Sequence, residues 1–234
     1  MTAQEIVEKL RPMGKEGYRK VMLRHGAQEP IFGVSIADMK PIQKLIKKDY
    51  QLALDLYDTG VYDAMYLAGL IADDARMTRA DLEKWLAQAK CSAISNVTVA
   101  WVAAESLLGW ELGTMWIDCE EEKAQAAGWA TLSGWVALRP DSQLDLSKLS
   151  ELLDRVKDSI HQQSNGLKYQ MNGFVIAVGS YVTELNPKAI QVGESIGKVE
   201  IRLIGDCKLP PICEYIKKVA DRGKIGVKRK TVKC

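Results

Sequence analysis

Phenylalanine is nearly missing from this sequence: Phe32 and Phe174 are the only two in 234 residues. Histidine is equally scarce, and His25 and His161 stand far apart in the chain. That excludes a histidine cluster and leaves little for a zinc site; His161, on the charged side of an amphipathic helix among Asp158, Gln162 and Gln163, reads as solvent-exposed, and no nucleophile–base triad is visible. The five cysteines are odd in number and carry no paired short spacing; Cys207 and Cys213 are six apart. They fit buried or incidental thiols in a reducing cytoplasm better than a disulfide framework or a structural zinc site. Long apolar runs are missing too. The longest uncharged stretches, 124–138 and 169–183, fall short of the ~18–20 residues that span a bilayer. The opening MTAQEIVEKLRPMGKE has no apolar h-region, so no secretory signal and no membrane partner are expected. The glycines never form GxGxxG or GxxxxGK[ST], which excludes a P-loop or dinucleotide-binding reading.

Much else is ordinary. Hydrophobic residues make up 47% and charged residues 26%, enough apolar material for one large or two small globular domains and too much for a disordered chain. Two features break the uniformity. All six tryptophans fall between Trp85 and Trp135. The segment 217–234 holds eight basic residues against one acid, a charge of +7 on a chain whose net charge is +2. A mildly acidic body therefore carries a basic tail.

Helical periodicity recurs from end to end. Ile6, Val7, Leu10 and Met13 form one stripe, with Thr2 and Glu5 as its capping box. Ile36, Met39, Ile42, Leu45 and Ile46 form a second behind Ser35. Further stripes follow at Ala64–Ile71, after Thr78 and Asp81, and at Leu149, Leu152, Leu153, Val156 and Ile160. A weaker one enters through Asn186 and Pro187. Only Val199, Ile201 and Leu203 alternate like a strand. Roughly ten to thirteen helices with short loops are expected. The segments 93–108 and 169–183 are apolar on nearly every side and must be surrounded by neighbours. The pattern predicts an all-α fold, a superhelical stack of antiparallel helix pairs, with a compact irregular bundle as the alternative. We place the repeat domain at 1–222 and the basic tail at 223–234.

Two groups of residues invite a function. Lys217, Lys224, Lys228, Arg229, Lys230 and Lys233 could neutralise phosphates on a flexible segment, or could simply keep a terminus soluble. Trp85 reads as core, but Trp101, Trp110, Trp116, Trp129 and Trp135 are too many to bury easily in so short a span. An exposed aromatic cleft for a base, sugar or other flat ligand is expected among them.

The order of segments then resembles a known family. GVSIADMKPIQKLIKKDYQLALDLYDTGVYDAMYLAGLIADDARMT is similar to the second and third helix pairs of the AlkD-like DNA alkylation repair proteins, which are HEAT-like-repeat DNA glycosylases. ISNVTVAWVAAESLLG resembles their central helix, and CKLPPICEYIKKVADRGKIGVKRKTVKC the C-terminus of one bacterial branch. The likeness runs from about residue 31 to residue 234. It implies a concave basic face that grips duplex DNA; no cofactor or metal is expected, because the glycine-loop motifs and paired Cys/His spacings are missing. It also implies excision of positively charged alkylated purines, in which a carboxylate stabilises an oxocarbenium-like sugar and indole faces attract the developing cation.

Carried over residue by residue, that machinery is altered. The family's central-helix Trp, and its Asp four residues later, fall on Val97 and Trp101. Its arginine falls near Gln125 or Ala126, with no Lys or Arg from 124 to 138 to replace it unless Lys123 serves, and its next tryptophan falls on Phe174. Glu105, one turn after Trp101, could supply a displaced catalytic carboxylate; otherwise it caps its helix or pairs with a cation. The resemblance thus implies cleft-lining roles for Val97, Trp101, Gln125, Trp129 and Phe174. The functional reading branches. The resemblance implies a duplex-DNA-binding relative, and a DNA N-glycosylase if Glu105 serves. The alternative is a non-catalytic HEAT-like module for a protein, an RNA or another ligand.

Overall fold

A computed structural model describes residues 1–202, 204 and 208–234. Among the described residues every regular element is helical, with thirteen α-helices joined by short connections. Val199 and Ile201 are not in a strand, and Leu203 and Cys207 lie outside the described residues. No helix among the described residues is long and apolar enough to cross a membrane. The chain divides into two compact units, 1–108 with 233–234, and 109–232.

The first unit contains α1 (Ala3–Leu10), α2 (Glu16–Arg24), α3 (Ile36–Ile46), α4 (Tyr50–Asp58), α5 (Tyr62–Ile71) and α6 (Arg79–Gln88). A π-helical turn, Ile94–Val99, then runs into α7 (Ala100–Glu105). The starts are written in the sequence. Thr2 accepts from Glu5 N and Thr78 from Asp81 N in full capping boxes, and Ser35 and Asp49 cap α3 and α4.

Helix α5 is the hub, since all of its residues are buried and α1, α3, α4 and the π turn pack around it. Such an element must be apolar all round, and this one is apart from Asp63. The Asp63 carboxylate is fully buried and accepts the backbone amides of Phe32 at 2.6 Å and Val34 at 2.7 Å. It thereby fastens the loop before α3 onto the hub. Nearby, Tyr57 and Trp85 stack with centroids 4.1 Å apart, and the Tyr57 hydroxyl donates to the Trp85 carbonyl. Burial pushes the Tyr57 phenol well above its ordinary value, so it stays a neutral donor.

The second unit contains α8 (Gly109–Ile117), α9 (Glu122–Leu138), α10 (Leu146–Ser159), α11 (Asn165–Tyr181), α12 (Asn186–Ile196) and α13 (Ile212–Ala220). The 17-residue helices α9 and α11 pack on each other, with α8 against α9 and α12 and α13 against α11. The five expected positions Leu149, Leu152, Leu153, Val156 and Ile160 are all buried in this core. Each contributes roughly 1.5–3 kcal/mol relative to an exposed side chain. Gly179 lets α13 approach α11 closely, because a Cβ there would lie 2.4 Å from the Ile216 Cδ1.

The basic tail does not stand away from the second unit. Gly226 N donates to the Ser180 carbonyl at 2.9 Å and Arg229 N to the Ala137 carbonyl at 2.8 Å. Residues 233 and 234 belong to the first unit.

Candidate nucleic-acid interface

The π turn and α7 supply a nearly sealed helix with one opening. Ile94, Ser95, Thr98, Val99, Ala100, Val102, Ala103 and Ala104 are buried, whereas Val97, Trp101 and Glu105 are half-buried. Those three are spaced four apart, so they line one stripe. The stripe is held down by a close approach, since a Cβ on Gly69 of α5 would stand 2.5 Å from the Thr98 Cγ2. A π turn inside an α-helix is uncommon and shifts the facing of the residues that follow it.

Tyr66 of α5 flanks the stripe and meets the Trp101 ring edge-on, with centroids 5.8 Å apart. Its hydroxyl donates to Cys234 Sγ at 3.5 Å, and Lys40 Nζ donates to the Cys234 carbonyl. Burial first, and the Cys234 contact second, push the Tyr66 phenol well above its ordinary value. It carries no negative charge at neutral pH.

Charge gathers at the C-terminal end of α5. The carbonyl end of a helix is its negative pole, and three carbonyls there are met by donors. Gln43 Nε2 reaches Leu70 O, Asp49 N reaches Ile71 O, and Lys233 Nζ lies 3.4 Å from Ala72 O. Asp74 adds a buried carboxylate. Lys233 Nζ approaches one of its oxygens at 2.5 Å and Lys48 Nζ the other at 3.0 Å. The Lys48 ammonium is pulled down by partial burial. The bond to Asp74 and the charges of Asp74, Glu105 and Asp73 outweigh that, and its pKa is raised overall. Glu105 therefore shares this electrostatic neighbourhood with Lys48.

The structure corrects several expectations. Trp129 and Phe174 do not line an open cleft; they are 2% and 0% exposed and pack on each other with centroids 5.0 Å apart. Trp116 is core as well, while Trp101, Trp110 and Trp135 keep part of their surface. Gln125 spends its amide locally, with Nε2 donating to the Cys119 carbonyl at 2.6 Å ahead of α9. Lys228 and Lys233 do not serve a loose basic tail. Lys228 Nζ reaches the Val136 and Tyr181 carbonyls and lies 2.8 Å from Asp141, and Lys233 is spent on Asp74. Lys224, Arg229 and Lys230 remain exposed, and Lys217 is exposed but pairs with Asp221 at 3.1 Å.

Periodicity alone missed Arg155. It lies on α10 and places its guanidinium 5.7 Å from the Trp129 ring centre, pairing with Asp118 at 2.6 Å. Asp63 was also missed, although a lone carboxylate within an apolar helix was the available signal.

Comparison with known proteins agrees with this architecture. The family described as DNA alkylation repair enzyme matches residues 6–196. The uncharacterized proteins Lin0241 of Listeria innocua and Lmo0209 of Listeria monocytogenes are 27% and 26% identical. Those alignments cover 95% and 96% of this chain and 99% and 100% of the relatives. One solved structure aligns over the whole of both chains with a TM-score of 0.92 and 36% identity. It belongs to a new family of proteins related to the HEAT-like repeat DNA glycosylases with affinity for branched DNA structures. The all-helical fold expected from periodicity is that HEAT-like class. By the match over most of its length, this chain belongs to the DNA alkylation repair enzyme family.

Proposed function

We propose that this protein binds DNA, with branched duplexes preferred over linear ones, and does not excise alkylated bases. The observation that carries the reading is the full-length likeness to a protein family with affinity for branched DNA. The replaced residues support the second half. Where the resemblance to active glycosylases expects a tryptophan and an aspartate, the half-buried stripe carries Val97 and Trp101. A stripe of this kind offers an indole for packing on a sugar or base but no carboxylate at the expected turn. Exposed Lys224, Arg229 and Lys230 supply phosphate contacts in this reading.

The test is binding of a fluorescent four-way junction and of a linear duplex of the same length, measured at several salt concentrations. Tighter junction binding that weakens steeply with salt is expected. Equal or undetectable binding of both removes the proposal. Methylated duplex DNA is assayed alongside for released base. Release above the spontaneous rate that disappears in Glu105→Gln would instead identify a glycosylase with a displaced carboxylate.

A further inference from the structure

Asp74 sits between two ammonium groups that differ sharply in their freedom. Its side chain is 3% exposed. The Lys233 side chain, at 7% exposed and 2.5 Å away, is sealed in with it and cannot reach anything outside the protein. The Lys48 side chain, 3.0 Å from the other oxygen, is 58% exposed. One carboxylate needs one counter-charge. Lys233 supplies it from within, so the surplus positive charge of the trio lies at the solvent end, on Lys48. We infer that Lys48 is a phosphate-contacting residue of the DNA-binding face, and that Lys233 is the positioning residue that keeps Lys48 available.

The local backbone is built around this arrangement. Lys47 closes α3 with φ 64°, and it is the sole non-glycine residue with positive φ among the described residues. A side chain rarely adopts that conformation unless its surroundings impose it. It turns the chain between α3 and α4, and the amide of Asp49 then donates to the Ile71 carbonyl at 2.9 Å. Lys48 is thus held between two anchored residues, beside Asp74 and within electrostatic reach of Glu105 on the Trp101 stripe. A buried carboxylate left with one lysine would claim that lysine fully. Loss of Lys233 should therefore draw Lys48 inward and remove its charge from the face, although Lys233 itself touches no ligand.

The inference rests on the DNA-binding reading, and its test separates the two. Binding of the four-way junction is measured against salt for the full chain, Lys48→Gln, Lys233→Met and the charge-balanced Asp74→Asn/Lys233→Met. Removing one phosphate contact should make the salt dependence shallower by about 0.9 in the log–log slope and weaken low-salt binding by roughly fivefold to tenfold. Lys48→Gln is expected to show both changes, Lys233→Met to match it, and the charge-balanced pair to return to the slope of the parent. Thermal unfolding of each variant accompanies the binding. A merely structural Lys233 would lower the unfolding temperature without changing the slope, and that result overturns its positioning role. An unchanged slope in Lys48→Gln overturns the phosphate contact. If Lys233→Met does not fold, Asp74→Asn/Lys233→Met is compared with and without Lys48→Gln, and equal slopes again overturn the contact. Failure of the parent chain to bind any junction defeats the underlying function instead.

Discussion

Tyr66 braces Trp101 edge-on at 5.8 Å, and of the two rings the brace is the buried one. The half-open indole thus rests on a fixed wall, as a stacking platform requires. Trp129 and Phe174 stand 5.0 Å apart with almost no surface, and their contact is core packing. The two pairs should respond to truncation in opposite ways. Trp101→Ala is expected to weaken junction binding by roughly fivefold or more, since an aromatic–base contact is worth about 1–3 kcal/mol. Trp129→Ala or Phe174→Ala should cost about 3–5 kcal/mol of stability in a denaturant titration. A Trp101→Ala protein that binds normally would leave the stripe without a role.

The packing of α5 against the π turn gives a sharper structural test. Gly69→Ala drives a methyl group to 2.5 Å from the Thr98 Cγ2 and should destabilise by about 1–3 kcal/mol. Thr98→Ser deletes that methyl and keeps the hydroxyl. The double variant is therefore expected to recover part of the loss, a non-additivity that a double-mutant cycle of unfolding free energies reads directly.

Asp63 offers a test of the hub. Asp63→Ala strands the amides of Phe32 and Val34, which the carboxylate now takes at 2.6 and 2.7 Å. About 2–5 kcal/mol should be lost. Hydrogen exchange at those two amides should accelerate more than exchange in α9 and α11, because the damage is local to the first unit. Uniform acceleration across both units would contradict that placement.

Acid sensitivity follows from Asp154. Its hydrogen bonds with Lys188 at 2.6 Å and Lys157 at 3.2 Å hold the carboxyl below the usual carboxylate range. A depressed native value contributes stability above the unfolded value of about 3.9, and that contribution is lost as pH falls through the native value. Asp154→Asn should therefore lower stability near neutrality and flatten the acid limb below about pH 4. The side chain is 43% exposed, so added salt should shrink the difference. An identical acid limb in the variant would show that the pair is silent.

The helices, their beginnings and most of the buried face follow from signals local to the chain. Thr2, Ser35 and Thr78 cap where their side chains predict, and the stripe from Leu149 to Ile160 is buried as its spacing requires. Those signals act over three or four residues, within the reach of a single helical turn. The four-residue spacing of Val97, Trp101 and Glu105 was legible for the same reason.

Which aromatic stays open and which cations are spent depends on contacts between distant segments. Trp101 and Trp129 look alike as residues in apolar helices, yet one borders solvent and the other meets Phe174 across 45 positions of chain. Lys233 reads as one more charge in a basic run until Asp74, 159 residues earlier, takes it out of solvent. Charge run and aromatic count describe composition along the chain. Burial and pairing depend on which distant segments come together, and no local period encodes that.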